Sequence, residues 1–141
     1  LVAVEGRHLR KMISANLASK GGIFSWAGLT ATARCQDGVM QVELRRAGKL
    51  IKDDDKLTLV TSDFLASGGD GVIGRLKLAP EAVTVLPVII RDAMAALLRK
   101  QTAPLQPREL MPPGAPRLSF PGKRPFRCTS VGAPNSSEEP D

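Results

Sequence analysis

Apolar and polar residues change their spacing along the chain, and that spacing predicts the first two elements. Residues 1–4 form a short apolar run that suits a buried strand, and Gly6 ends it. Residues 7–19 place apolar side chains at three- and four-residue intervals, which predicts an amphipathic helix. Its polar face is expected to carry Arg7, Arg10, Lys11 and Asn16. Lys20 and the two glycines after it indicate where this helix ends.

A strand-rich block follows the first helix. Residues 29–35 and 40–45 alternate apolar with polar side chains, which is the two-residue period of half-buried strands. Asp37-Gly38 between them is a strong hairpin signal, and residues 47–49 indicate another turn. Residues 57–61 fit a further strand. The block from residue 23 to residue 61 therefore predicts an antiparallel meander.

The rest of the chain predicts a second helix and a tail. Residues 72–78 fit a strand, and residues 88–100 have the spacing of an amphipathic helix with a basic end. Nine of the eleven prolines lie between Pro104 and Pro140, which excludes long helices and central strands there. A short edge strand is expected near residues 118–120. We predict an α+β fold with a mixed, largely antiparallel sheet, two main helices packed on it and an extended proline-rich C-terminal tail.

These patterns divide the chain into three parts. Residues 1–100 are expected to form one domain, residues 101–131 a tail that wraps it, and residues 132–141 a disordered end. No run approaches the roughly 18 apolar residues that span a membrane. The sequence begins without methionine or a signal peptide, so we expect it to be a processed or excised fragment with its true N-terminus upstream.

Charge and composition narrow the class of partner. The net charge is +6, which favours anionic partners such as nucleotides. The basic residues are scattered, there is no Tyr and there is one Trp, so no basic stripe interleaved with aromatic residues exists. We therefore do not expect this chain to bind nucleic acid.

Few residues offer catalytic or metal-binding chemistry. His8 is the single histidine, and we interpret it as a surface residue of the first helix. Residues 53–55 are three aspartates without the spacing of a calcium loop, so we interpret them as a solvated turn. Cys35 and Cys128 are too few for a zinc site, and spacing alone leaves a disulfide and two free thiols equally open. No residue is assigned as catalytic or as a metal ligand.

Residues 61–71 are the most informative segment. Asp63 is expected to cap the turn that follows the predicted strand, and Phe64 stands where the chain leaves the sheet. The run Gly68-Gly69-Asp70-Gly71 permits left-handed backbone angles and the close approach of a ligand. One interpretation is a tight loop that buries Phe64. The other is an aromatic platform beside a carboxylate, on which a nucleobase stacks for about 1–3 kcal/mol while Asp70 accepts hydrogen bonds from a ribose.

The nine residues at positions 63–71, Asp-Phe-Leu-Ala-Ser-Gly-Gly-Asp-Gly, resemble the signature loop of the 5'-nucleotidase C-terminal domain family. That family includes 5'-nucleotidases, UDP-sugar hydrolases and 2',3'-cyclic-nucleotide phosphodiesterases. Further segments resemble it in the same order: residues 1–12 its strand and helix opening, residues 24–29 its aromatic-containing segment, and residues 46–51 the turn before its signature strand. The resemblance covers about residues 1–100.

The resemblance implies a division of labour between two domains. An N-terminal metallophosphoesterase domain, which lies outside this chain, would hold two divalent metal ions and cleave the phosphate ester. The domain seen here would hold the base and the ribose, and it would need no cofactor of its own. Domain rotation would bring the substrate to the metals.

The resemblance also implies which residues bind the substrate. Phe64 matches one of two aromatic residues that sandwich the base, Asp70 matches the carboxylate that binds the ribose, and Gly69 lies in the same loop. The second aromatic position falls on Ile23 in an ungapped alignment and on Phe24 if one residue is deleted. Val72 stands where the family usually has an aromatic residue.

We therefore expect the nucleoside- or nucleotide-recognition portion of a metal-dependent 5'-nucleotidase-type phosphohydrolase, not catalytic by itself. The alternative is a non-catalytic binding or scaffold module of the same fold that has lost nucleoside binding, which Ile23 and Val72 motivate. A relative that acts on another anionic substrate, such as a thiosulfohydrolase, is also left open. The family is mostly periplasmic, cell-surface or secreted, and that location would favour a Cys35–Cys128 disulfide.

Overall fold

A computed structural model describes residues 1–112, 114–120, 122 and 128. Its strands and helices are numbered here in chain order. The strands are β1 (Val2–Glu5), β2 (Thr30–Gln36), β3 (Val39–Arg46), β4 (Lys49–Leu50), β5 (Lys56–Leu59) and β6 (Leu118–Ser119). The helices are α1 (Gly6–Ala18), α2 (Asp63–Ala66), α3 (Ile90–Arg99) and α4 (Pro107–Leu110).

The fold class is α+β with mixed, largely antiparallel sheets, which confirms the prediction. The chain divides into two compact units, and each is described by itself. The first unit comprises Leu1–Val4 and Lys56–Pro116, and the second comprises Glu5–Asp55 and Arg117–Asp141 as far as its residues are described. The predicted boundaries at residues 100 and 131 stay predictions. The predicted disorder of residues 132–141 lies outside the described residues.

The second unit is built on a four-stranded sheet in the order β4-β3-β2-β6. Its β2–β3 hairpin pairs Gln36 with Val39, so Asp37 and Gly38 alone make the turn. Both turn residues have positive φ, 52° and 77°, as a two-residue hairpin turn with the twist of the strands requires. The Asp-Gly signal in the sequence is thus confirmed.

The core of the second unit lies between α1 and the meander. Leu9, Ile13 and Leu17 of α1 are buried, as the helical spacing predicts. Alternate residues of the strands are buried against them: Ala31, Ala33, Met40, Val42 and Leu44. Gly6 begins α1 against the turn after β4, where an added Cβ would collide with the Lys52 carbonyl oxygen.

One strand of the predicted meander belongs elsewhere. β5 pairs with β1 in a separate two-stranded sheet of the first unit, so the meander ends with β4 and not near Thr61. The turn at residues 53–54 redirects the chain before β5 begins. Two-residue alternation predicts a strand but carries no information about its partner, because every strand presents the same pairing groups.

The segment after Gly71 is helical where a strand was expected. Residues 72–78 contain a 3₁₀ turn at Gly74–Leu76, and Ile73 and Leu76 are the buried side chains. A separation of three residues puts both side chains on one side of such a turn. The strand predicted for residues 72–78 is therefore wrong, because this packing favours the helical turn.

α3 forms close to its predicted bounds, at Ile90–Arg99 instead of residues 88–100. Its apolar side chains stay about half exposed, Met94 at 50%, Leu97 at 53% and Leu98 at 49%. Of the two main helices, α1 is thus the one with a buried apolar face. The tail contributes β6, which adds to the sheet edge parallel to β2 and confirms the expected edge strand.

Candidate functional site

The segment that follows β5 is organised by a short helix. Ser62 is the N-cap of α2, and its Oγ accepts a hydrogen bond from the Leu65 amide at 3.3 Å. Asp63 was expected to cap this turn, but it is the first residue of the helix, and its Oδ1 accepts from the Phe64 amide at 2.9 Å. A hydroxyl one position earlier reaches the orphan amide of the first turn, so it takes the capping role.

The glycine-rich loop turns sharply just after α2. Gly68, Asp70 and Gly71 all have positive φ, 103°, 54° and 64°, and the Gly71 amide donates to the Gly68 carbonyl at 3.0 Å. Aspartate is one of the few residues other than glycine that adopts this conformation readily. Each residue with positive φ in this loop is therefore of a type that adopts that conformation readily. The turn places Asp70 at a tight bend.

Phe64 lies against Gly69. A Cβ placed on Gly69 would lie 2.5 Å from the Cε1 and Cζ atoms of the Phe64 ring and 2.6 Å from the Phe64 carbonyl oxygen. Only glycine leaves room for the ring in this position. Phe64 is nonetheless 58% exposed, so the ring rests on the loop backbone and is not buried in the core.

Asp70 is exposed on the same loop. Within the described residues its carboxylate has no hydrogen-bond or ion-pair partner. Phe64, Gly69 and Asp70 are thus brought together in seven consecutive residues of the first unit. An accessible ring and an accessible carboxylate in one loop are the groups that stack a flat heterocycle and accept hydroxyl hydrogen bonds.

The other two predicted site residues belong to the second unit. Ile23 and Phe24 follow α1 without regular secondary structure and are 43% and 36% exposed. The Phe24 amide donates to Asn16 Oδ1 at 2.9 Å, and Asn16 Nδ2 donates to the Gly22 carbonyl at 2.8 Å. This pair of bonds holds the segment at the end of α1. A sandwich of Phe64 with either residue stays a prediction.

Two polar residues of α1 have roles that the amphipathic pattern did not indicate. The sequence pattern placed Asn16 on the polar face of α1, but it is only 8% exposed. Its amide nitrogen and oxygen both form hydrogen bonds with the segment after α1. Arg10 was placed there too, and its guanidinium bonds the carbonyls of Val42 and Ile51 as well as Asp53. No sequence signal marks these roles, since the partners are distant along the chain.

His8, Asp53 and Asp55, which the sequence offers as candidates for catalysis or metal binding, take part in local structure. His8 Nδ1 accepts a hydrogen bond from the Glu5 amide at 3.1 Å, which closes the first turn of α1. Asp53 pairs with Arg10, and Asp55 Oδ2 accepts from the Lys52 amide at 2.9 Å. In the part of the chain that the structure describes, no three metal-binding side chains lie close enough together to hold an ion.

Cys35 and Cys128 lie close together in the second unit, with 5.8 Å between their Cα atoms and the two sulfur atoms joined. That Cα separation is typical of a disulfide. Cys128 is buried at 5% exposure, whereas Cys35 is an exposed residue of β2. The structure thus pairs the tail cysteine with the sheet, and the oxidised state in solution stays a prediction.

Similarity to known proteins indicates no role for this site, so its geometry alone bears on its function. No protein-family model, no curated protein and no solved structure matches the chain. Among the described residues, no helix has the length and apolarity that a membrane crossing requires.

Proposed function

We propose that this chain is the nucleoside-recognition portion of a metal-dependent 5'-nucleotidase-type phosphohydrolase. The observation that carries the proposal is the accessible Phe64 ring seated on Gly69, with the exposed Asp70 carboxylate on the same loop. The exposed ring offers a flat ligand an apolar face to cover, and covering it removes apolar surface from water at about 25 cal/mol per Å².

The chemistry of the loop fits a nucleoside better than a sugar or a free anion. A nucleobase offers a flat face to Phe64, and base–aromatic stacking tolerates any base. The ribose offers two hydroxyl donors, which a carboxylate accepts with charge assistance. A free anion offers Phe64 no flat face, and a sugar alone offers the ring C–H groups but no π face.

The reaction itself would be performed outside this chain. We assign the metal ions and the phosphate cleavage to an N-terminal metallophosphoesterase domain of the same protein, and we propose an exported protein. In that arrangement the loop holds the base and ribose while the phosphate reaches the metals.

Titration with adenosine and with uridine, followed by NMR of the amides of residues 68–71, tests the proposal. We expect saturable shifts, because the base stacks directly above this backbone. Phe64→Ala should weaken binding about 5- to 150-fold, the equivalent of 1–3 kcal/mol of stacking. Phe64→Trp should retain binding, since it keeps an aromatic face.

Two matched variants separate stacking from simple apolar contact. Phe64→Leu keeps an apolar side chain but no ring, so it should resemble Phe64→Ala. Leu86→Ala removes another exposed apolar side chain of the same unit, at 47% exposure against 58% for Phe64, and should leave the titration unchanged. Absence of binding, or binding that survives Phe64→Ala, would favour the scaffold module that the residues Ile23 and Val72 motivate.

A further inference from the structure

Arg75 follows the candidate loop and is held next to it by backbone packing. A Cβ placed on Gly74 would lie 3.4 Å from the Cα of Gly68, so the 3₁₀ turn Gly74–Leu76 passes close to the start of the loop. Ile73 and Leu76 on either side of Arg75 are buried at 4% and 9% exposure. The turn is thus anchored on both sides, while Arg75 itself is exposed.

The guanidinium of Arg75 lies over Gly71, the residue next to Asp70. The point where a Cβ of Gly71 would be is 3.2 Å from Arg75 Nε and 3.6 Å from Nη2. Gly71 has a φ of 64°, so both its conformation and this contact favour glycine. The absence of a side chain at Gly71 lets the guanidinium settle directly on the loop backbone.

Arg75 and Asp70 are both exposed charged residues. Among the residues that the structure describes, Arg75 and Asp70 form no ion pair with each other or with any other side chain. In the described part of the chain, an exposed guanidinium and an exposed carboxylate thus belong to Gly71's contact and to its chain neighbour. Arg91 of the same unit, in contrast, pairs with Asp92 at 3.1 Å.

We propose that Arg75 binds a phosphate group of the nucleotide whose base and ribose are held by Phe64 and Asp70. This inference rests on the proposed function and deepens it. A guanidinium donates two parallel hydrogen bonds to phosphate oxygens, which a nucleoside without phosphate does not offer. Arg75 thus makes the loop select nucleotides over nucleosides, and it offsets the repulsion between Asp70 and the phosphate.

The test compares adenosine with its 5'- and 3'-monophosphates on the unmodified chain and on Arg75 variants, by the same NMR titration at low salt. We expect at least one monophosphate to bind about three- to tenfold more tightly than adenosine, as an accessible charge-assisted contact allows. Arg75→Ala and Arg75→Gln should abolish that ratio and leave adenosine affinity unchanged. Added salt should reduce the ratio in the unmodified chain.

The controls make each outcome decisive. Arg99→Ala removes an exposed arginine at the end of α3 and should preserve the ratio. Inorganic phosphate should bind far more weakly than the monophosphate, because it lacks the base and ribose. A ratio that persists in both Arg75 variants overturns this inference alone. Failure of adenosine to bind, or indifference to Phe64→Ala, overturns the proposed function and this inference with it.

Discussion

At the scale of single residues, the candidate loop packs closely around three glycines, and at Gly69 an added Cβ would collide with its neighbours. Gly69 lies under the Phe64 ring, Gly71 under the Arg75 guanidinium, and Gly74 against Gly68. Each glycine lets the backbone or a neighbouring side chain approach to van der Waals contact. The exposed groups that we assign to binding are therefore held in place by backbone atoms and not by a surrounding core.

Gly69→Ala tests whether this contact positions the Phe64 ring. The new methyl group would meet the ring at 2.5 Å and the Phe64 carbonyl oxygen at 2.6 Å, so both the ring and α2 must shift. We expect a loss of about 1–3 kcal/mol in the free energy of unfolding, measured by denaturant titration, as overpacking usually costs. Nucleoside binding should weaken as well.

Gly22→Ala is the matched control for that variant. It adds the same methyl group at a position where nothing lies within 4 Å. Its stability should stay within about 0.5 kcal/mol of the unmodified chain, as is usual for surface substitutions. Equal stability of the two variants would mean that Phe64 does not rest on Gly69 in solution.

At the scale of elements, Arg10 joins α1 to two other parts of the second unit. Its Nη1 donates to the carbonyl of Val42 in β3 at 3.0 Å, and its Nη2 donates to the Ile51 carbonyl at 3.1 Å. Nε and Nη2 both donate to Asp53 Oδ1, at 3.0 and 2.7 Å. One side chain thus connects the helix, the sheet and the turn that redirects the chain toward β5.

Arg10→Ala should cost about 2 kcal/mol of unfolding free energy, because it leaves two part-buried carbonyls without their donor. Asp53→Ala should cost less than about 1 kcal/mol, since the Asp53 side chain is 69% exposed and its ion pair is screened by solvent. Denaturant unfolding of both variants and of the double variant measures the difference. Arg34→Ala, at an exposed position of β2, is the control and should change little.

An Arg10→Ala cost no larger than that of Asp53→Ala would contradict this account. It would mean that the salt bridge, and not the carbonyl contacts, is the main contribution of Arg10. The double variant distinguishes the two, because an Asp53 effect that disappears in the Arg10→Ala background belongs to the pair.

At the scale of the whole molecule, the Cys35–Cys128 pair joins residues 93 positions apart. It connects the C-terminal part of the chain to β2. A cross-link over so many residues restricts the unfolded chain strongly, by about 4.6 kcal/mol in the chain-entropy model. Disulfides persist in oxidising compartments, so we expect this bond to be stable in an exported protein.

We expect the mass of the unreduced protein to be lower than that of the reduced protein by two hydrogens, and a Cys35–Cys128 peptide pair in its digest. Reduction should lower the unfolding midpoint, and Cys128→Ser should lower it to the same value without reductant. Two free thiols in protein purified without reductant would contradict both the cross-link and the proposal of export.

Local patterns determined much of the fold. The amphipathic spacing of α1 and α3, the alternation in β2 and β3 and the Asp37-Gly38 turn were predictable, because each depends on neighbours within a few residues. The loop at residues 63–71 could be singled out for the same reason, since its glycines and Asp70 have backbone preferences of their own. Phe64, Gly69 and Asp70 could thus be singled out from the sequence, but the contacts between them could not.

Tertiary structure decided what depends on distant partners. In the folded chain β5 pairs with β1 outside the meander, and the apolar face of α3 stays exposed. Asn16 is buried and Arg10 forms hydrogen bonds, although the pattern placed both on the solvent-facing side of α1. It also put Phe64 on Gly69 and Arg75 on Gly71. Periodicity specifies which side chains share a face, but only the folded chain specifies what that face meets, because long-range contacts have no counterpart in the local order of residues.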